Sequence, residues 1–262
     1  HGWLPLVHVE APSPVSILLS GILLKMGSYG LIRAATMLPG AVVALQPLLA
    51  SLAWITMLYG AVLAWRQSDL KAMIAYSSIS HMGVALLGIA SLTVVGLLGA
   101  LMQMVAHGLV AGSLFLLAGL LYQRTHSRDI AHYGSLVRIA PRFAFFISFA
   151  FIAAVAIPGT VGFMAELHVL VGSVQRWGWS AAIALGLAML IGAGYSVRTV
   201  SQLFTGPLQP SMSSITDLRW PEVSAASLLA FLILLLGLLP IHMLELMTAS
   251  VEQLEIALRG YL

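Results

Sequence analysis

Long apolar stretches alternate with short polar segments along the whole chain, and seven of them approach or exceed the roughly 20 residues a helix needs to cross a bilayer. They cover residues 12–36, 41–65, 70–91, 95–122, 142–173, 178–204 and 223–240. The pattern predicts an all-α polytopic membrane protein with about seven transmembrane helices, organised as a transmembrane unit over 1–240 and a tail over 241–262. In that tail Glu245, Glu252, Glu255 and Arg259 fall among Leu and Met at mixed spacing. Such a segment reads as an amphipathic helix lying in the membrane interface.

The fifth stretch is not a plain helix. Pro158, Gly159 and Gly162 stand in the middle of an apolar run. Proline removes a backbone donor and clashes with the preceding turn, and glycine lowers the cost of unusual dihedrals. The pattern therefore predicts a helix broken at membrane depth, which is tolerated only where the backbone is buried in protein or lines a wet cavity. Glu166 follows four residues after Gly162. The break and the carboxylate are expected to form one site; the alternative is a kink used only for packing.

Composition agrees with the pattern: 60% of the 262 residues are hydrophobic and 8% charged, against roughly 25% charged in a soluble domain. The net charge of +3 reflects membrane topology rather than nucleic-acid binding. Eight of the twelve basic residues, namely Arg66, Lys71, Arg124, Arg128, Arg138, Arg142, Arg198 and Arg219, fall on one side of the alternating loops. The positive-inside rule makes that side cytoplasmic and puts the C-terminus outside, in a bacterial inner membrane. The chain has no cysteine, which removes disulfides, thiolate catalysis and Cys-ligated zinc or iron–sulfur centres.

Four titratable groups then stand out, because each lies near the middle of a span: Lys25, His81, His107 and Glu166. A charge at mid-membrane costs roughly 2.5 to 3.5 kcal/mol on insertion scales, so four of them mark function, and a proton path fits them. Ser28 and Tyr29 share the Lys25 face, Ser77 precedes His81 by four residues and Gln103 precedes His107 by four, giving each group a polar neighbour on its own helix. Gly21, one turn before Lys25, permits close helix contact. Pro12 and Pro14 suit a helix start, with Ser13 or Ser16 as its cap. Histidine exchanges protons near pH 7 with little tuning. Metal binding is the other sharp reading of the histidines, but no i, i+4 His pair accompanies them.

Asp69 and Lys71 open the third span, where a helix-start aspartate and an interface lysine are ordinary; Lys71 is also a candidate at the end of the proton path. Arg124, His126, Arg128 and Asp129 form a charged loop, an anchor or a contact with a neighbouring subunit. His1, His8 and Glu10 lie near the first span, and His168 and His242 have no constellation around them. No phosphate-binding glycine loop, nucleophile elbow or nucleotide fingerprint is present.

Several segments in order resemble the antiporter-like, proton-pumping membrane subunits of respiratory complex I. They are His1-Gly-Trp-Leu-Pro5 with His8 and Ala11-Pro-Ser-Pro-Val-Ser16, Gly21-Ile-Leu-Leu-Lys-Met-Gly27, Asp69-Leu-Lys71 with Ala75-Tyr-Ser-Ser-Ile-Ser-His-Met-Gly83, Gln103-Met-Val-Ala-His-Gly108, Arg124-Thr-His-Ser-Arg-Asp129 and Pro158-Gly-Thr-Val-Gly-Phe-Met-Ala-Glu166. Glutamate at 166, where related branches usually carry lysine, is similar to the M (chain 4) branch. The resemblance implies Lys25 as the central lysine, His81 and His107 as bridging histidines and Glu166 as the terminal carboxylate of a hydrophilic axis. It implies a fold of fourteen helices in two inverted five-helix repeats, of which this chain holds the second plus flanks, so that an N-terminal half of the same subunit is an expected partner. Other membrane subunits are expected too, with FMN, iron–sulfur clusters and quinone in partner subunits and no cofactor or metal in this chain.

Two departures stand against the family pattern. Leu6 replaces the usual aspartate, and Ser201-Gln-Leu-Phe-Thr-Gly206 lacks the usual basic residue. The functional expectation is a proton-translocating membrane subunit of an NADH:quinone oxidoreductase. A cation/proton antiporter, a membrane hydrogenase subunit of the same fold and a non-pumping scaffold are the alternatives.

Overall fold

The computed structural model describes residues 1–207, 212 and 215–261. Its elements are all helical: α1 (Leu4–Glu10), α2 (Ser13–Leu18), a π-helical turn (Leu19–Leu23), α3 (Leu24–Met37), α4 (Pro39–Arg66), α5 (Leu70–Ser91), α6 (Val94–Thr125), α7 (Leu136–Ile139), α8 (Pro141–Ala154), α9 (Val161–Trp177), α10 (Trp179–Phe204), α11 (Trp220–Leu238) and α12 (Ile241–Arg259). Six helical runs are long and apolar enough to cross a membrane, the first being α2, the π turn and α3 taken together. The broken pair α8 and α9 supplies the remaining crossing. A fold of seven crossings, one interrupted, is thus what the apolar pattern predicts.

Helices α5 and α6 form the centre. In each, 78% of the most apolar window is buried, against 17–28% in the other four runs. The outer helices therefore keep one apolar face outward, as a bilayer or a protein partner requires. Close approach of α4 to α5 depends on glycine at both crossings: a Cβ on Gly60 would meet the Ser80 backbone, and one on Gly83 the Met57 backbone. Ser80 Oγ donates to Met57 O across the same contact at 2.8 Å.

The interruption of the fifth crossing runs from Val155 to Thr160, where expected. Ala156 and Gly159 both take positive φ, 57° and 98°. Gly237 of α11 lies so close to Gly159 O and Thr160 C that no Cβ fits between them, so the broken segment is packed over by the last crossing.

The arginines assigned to one side by sequence do share one end of the bundle. Arg128 pairs with Asp69 at 3.3 Å and Arg124 with Glu222 at 2.5 Å, while Arg198 donates to Trp65 O at 2.8 Å. The charged loop is thereby tied to this chain itself. Asp69 caps α5 by accepting from the Lys71 and Ala72 amides. Asp217 accepts from the Arg142 and Phe143 amides at 2.9 and 3.0 Å, capping α8 from a loop 74 residues away.

At the other end α12 lies across the bundle and buries Met243, Val251, Leu254 and Leu258. Val251, Leu254 and Leu258 pack with Ile32, Ala35, Leu97 and Leu98, while Glu245, Glu252 and Arg259 stay exposed. Leu262, the last residue of the predicted tail, lies outside the described residues.

Candidate functional site: a line of buried titratable groups

The π turn sets the position of Lys25. In an uninterrupted α-helix the face of Ser16 and Ser20 would continue at Leu24, since residues four apart share a face. The extra residue of the π turn moves Lys25 onto that face instead, and its Nζ donates to Ser20 O, five residues back. Sequence reasoning placed Ser28 and Tyr29 beside the amine. In the structure the amine bonds neither of them: Lys25 borders an apolar cavity of about 600 Å³ together with Tyr29 and reaches α6, where Nζ is 2.6 Å from His107 Nδ1. Gly21 and Gly108 allow the two helices to meet there, because a Cβ on Gly108 would lie 2.9 Å from Gly21 O.

His107 faces His81 across the α5–α6 contact, with ring centroids 5.5 Å apart and planes inclined by 43°. His81 Nδ1 is 3.6 Å from Glu166 Oε1. The spatial order is therefore Lys25, His107, His81, Glu166, with the two histidines exchanged relative to chain order. Gln103 Nε2 lies 3.4 Å from His81 Nδ1, so this amide serves the histidine of the neighbouring helix rather than His107 on its own. Ser77, expected beside His81, spends its hydroxyl on Ile74 O.

The centre of the line is almost closed to solvent. His107 and Glu166 are each 5% exposed and Gln103 2%. A cavity of about 20 Å³ is lined by Gln103, His107, His81 and Glu166 together with Ala156 and Gly162 of the broken crossing, which puts the break and the carboxylate in one site. Gln103 Oε1, His107 Nε2 and Glu166 Oε2 are buried without a protein partner. That volume and polarity suit a single water molecule. On the other side of Glu166 a second cavity of similar size is bordered by Ser80, Gly192 and Tyr195.

Chemically, the Lys25–His107 contact is a hydrogen bond as long as at least one of the two is neutral, and a single excess proton on the pair can sit on either nitrogen. Its two ends differ by the movement of that proton alone. At the far end a protonated His81 beside Glu166 would be an ion pair, and a neutral one would leave the carboxylate to its cavity. The line can thus hold a mobile positive charge at successive points.

Lys71 is not on this line. It is buried, and its Nζ donates to Ala11 O at 2.5 Å, while Arg128 Nη1 donates to Val9 O at 2.5 Å. Two cations thereby hold the carbonyl end of α1, where positive charge is favoured. A pocket of about 380 Å³ opens beside them, lined by Glu10, Ser13, Arg128 and Tyr133 among others; burial raises the Tyr133 phenol above its usual range. Ser13 and Ser16 do not cap the first crossing. Ser16 Oγ donates to His8 O at 3.2 Å. His168 is satisfied locally by Met164 O at 2.7 Å. Among the described residues no three His, Asp or Glu side chains converge as a metal set.

Three features escaped the sequence reading: the π turn, the complete burial of His8 and the presence of Tyr195 beside Glu166. The first left no composition signal in Leu19–Leu23. A lone histidine or tyrosine gives none either until its neighbours are known.

The family model for "NADH:quinone oxidoreductase/Mrp antiporter, TM" matches residues 1–192. NADH-ubiquinone oxidoreductase chain 4 of Arabidopsis thaliana is 38% identical over 256 residues, 97% of this chain and 52% of the relative. NADH-quinone oxidoreductase subunit M of Rickettsia prowazekii (strain Madrid E) is 37% identical over 98% of this chain and 52% of its own length. The chain thus spans about half the length of the curated relatives it matches. Among solved structures, a chain of respiratory complex I from Thermus thermophilus superposes with a TM-score of 0.92 at 35% identity, covering 98% of this chain and 55% of that one. A chain of the Mrp complex from Dietzia sp. DQ12-45-1b superposes at 0.89 with 19% identity, covering 97% and 56%, and so shares the fold. With the family model matched over most of its length and complex I relatives at more than a third identity, this chain belongs to the NADH:quinone oxidoreductase/Mrp antiporter transmembrane family.

Proposed function

We propose that this chain forms a proton-conducting part of a membrane subunit of an NADH:quinone oxidoreductase, and that Lys25, His107, His81 and Glu166 pass protons in that spatial order or its reverse. The observation that carries the reading is the continuity of the line: 2.6 Å from Lys25 to His107, 5.5 Å between the imidazole centroids and 3.6 Å from His81 to Glu166. Proton transfer needs heavy atoms within hydrogen-bonding reach directly or through one water, and the first step satisfies the direct case. The cavity shared by His107, His81 and Glu166 suits the bridged case.

In the same reading the arginine-rich end faces the cytoplasm of a bacterial inner membrane and the C-terminus lies outside. The redox chemistry, with FMN, iron–sulfur clusters and quinone, belongs to partner subunits. In this reading an N-terminal half of the same subunit joins the line at Lys25, in keeping with relatives about twice as long as this chain. Redox events elsewhere would act by changing which member of the line holds the charge, a coupling between distant sites rather than chemistry in this chain. Each proton moved against 100 mV needs roughly 2.3 kcal/mol, equivalent to less than two pKa units of coupled change. Lys71 acts as a structural cation at the end of α1 and not as a carrier.

The test is proton translocation, driven by NADH and read by a pH-sensitive dye, in membrane vesicles carrying the native assembly with Lys25→Ala or Glu166→Gln. Each variant should cut translocation roughly tenfold or more, with the assembly intact on native gels. Undiminished translocation in both variants would refute the relay and leave a scaffold.

A further inference from the structure

At the end of the bundle opposite the arginine-rich one, a single amide joins the two helices that carry His81 and Glu166. Gln46 of α4 is 3% exposed. Its Nε2 donates to Ala90 O at 2.9 Å and to Ser91 O at 3.3 Å, the last two carbonyls of α5. Its Oε1 accepts from Arg176, Nη2 at 2.6 Å and Nε at 3.1 Å, in the last turn of α9. The next residue of α9, Trp177, meets Trp54 of α4 edge-on, ring centroids 6.2 Å apart. Helix C-termini carry carbonyls without helical partners, and amide donors and positive charge are favoured there. The two helices are tied at matching distances from their functional groups. Ser91 follows His81 by ten residues and Arg176 follows Glu166 by ten, roughly 15 Å along either helix.

Helix α9 needs such a tie. Its first turn is cut off from α8 by the interruption, and it meets α6 backbone to backbone: a Cβ on Gly99 would strike the Val169 amide, and one on Gly172 the Gly96 backbone. Contacts this flat set how near the two axes lie, but they offer few side-chain ridges to fix the rotation of α9 about its own axis. An atom about 5 to 6 Å from a helix axis moves by roughly 2 Å when the helix turns by about 20°. Movement of that size would open the 3.6 Å contact between His81 and Glu166.

We infer that Arg176 and Gln46 are positioning residues, which fix the rotation of α9 against α5 through one shared amide and so hold the Glu166 carboxylate within reach of His81. Neither handles a proton itself. Two donors of the guanidinium converge on one oxygen, and the bond on that side of the amide strengthens the donation on the other, toward the α5 carbonyls. Loss of Arg176 leaves a buried carbonyl oxygen without its donor, and loss of Gln46 removes both bonds at once.

The inference rests on the proposed relay, and the experiment separates the two. In vesicles carrying the native assembly, Gln46→Leu, which is similar in bulk and makes neither bond, should lower NADH-driven proton translocation roughly tenfold. Arg176→Gln, at the exposed side of the contact, should do the same. In both variants the dependence of the rate on pH should be displaced by about half a pH unit or more, because the separation of His81 from Glu166 sets how firmly that pair holds its proton. A purely structural loss would scale the rate equally at every pH. Native gels report assembly for each variant. Wild-type rate and profile in both variants, or a lower rate with an undisplaced profile, would overturn the positioning role. Glu166→Gln in the same preparation reports on the relay itself. Loss there with unaltered Gln46 and Arg176 variants removes the positioning role alone, and retained pumping there removes the relay.

Discussion

Lys25 Nζ and His107 Nδ1, 82 residues apart in the chain, meet at 2.6 Å beneath the Gly21–Gly108 contact. Both are bases, so the contact exists only while one of them lacks a proton. A guanidinium at position 25 would keep the charge but could not give it up, because arginine does not deprotonate in proteins. Lys25→Arg should therefore abolish proton translocation as completely as Lys25→Ala, by roughly tenfold or more. Dye-quench assays on vesicles with matched assembly levels decide it. Translocation retained in Lys25→Arg would show that the charge alone is needed.

Register within the first crossing carries a second prediction. Deleting Ile22, which lies in the π turn and is exposed, removes the extra residue, so that in the resulting α-helix Lys25 follows Ser20 by four residues and keeps its face. Inserting an alanine after Ile22 instead turns Lys25 by about 100° relative to Ser20 and away from His107. The insertion should reproduce the Lys25→Ala defect, whereas the deletion should translocate normally. Equal activity of the two would mean that the register of Lys25 is incidental.

Much of this was legible in the chain itself, and the legible parts share a cause. Bilayer length and apolarity make spans readable, and Pro158 with Gly159 and Gly162 makes the break readable, because both follow from local backbone chemistry. The four mid-span titratable groups were visible because lipid makes each of them expensive. Their order was not. It depends on how α5 and α6 rotate against one another, which puts Gln103 on His81 and His107 on Lys25, a tertiary fact that helical spacing within one segment cannot express. His8 was hidden for the same reason: its burial comes from Phe115, more than a hundred residues away, and from the clamping of α1 by Lys71 and Arg128.

Packing at the break supports a third prediction. Gly237 of α11 faces Gly159 and Thr160 with no room for a side chain, so Gly237→Ala must push the last crossing away from the interrupted segment or distort it. Overpacking of this kind costs about 1 to 3 kcal/mol. The variant in detergent should unfold at a lower temperature than wild type. Gly186→Ala, where a Cβ meets nothing within 4 Å, should match or exceed wild type. Equal melting of wild type and Gly237→Ala would show that α11 does not pack on the break as described.

The buried state of His8 has a consequence for acid stability. Its pKa is lowered from 6.5 to about 4, by burial first and by the Lys71 charge second. A histidine whose folded pKa is depressed binds fewer protons in the native state than in the unfolded one, so stability rises with pH across this window. At neutral pH the group contributes nothing either way. As pH falls from about 6.5 toward 4 the unfolded chain takes up a proton that the folded chain refuses, for a total of about 3 kcal/mol. His8→Phe keeps an aromatic ring against Phe115 and cannot titrate. The difference in melting temperature between wild type and His8→Phe, measured in detergent at steps from pH 7.5 to 4.5, should therefore move in favour of the variant as the pH drops. A difference that stays constant over that range would place a titrating, solvated imidazole at position 8.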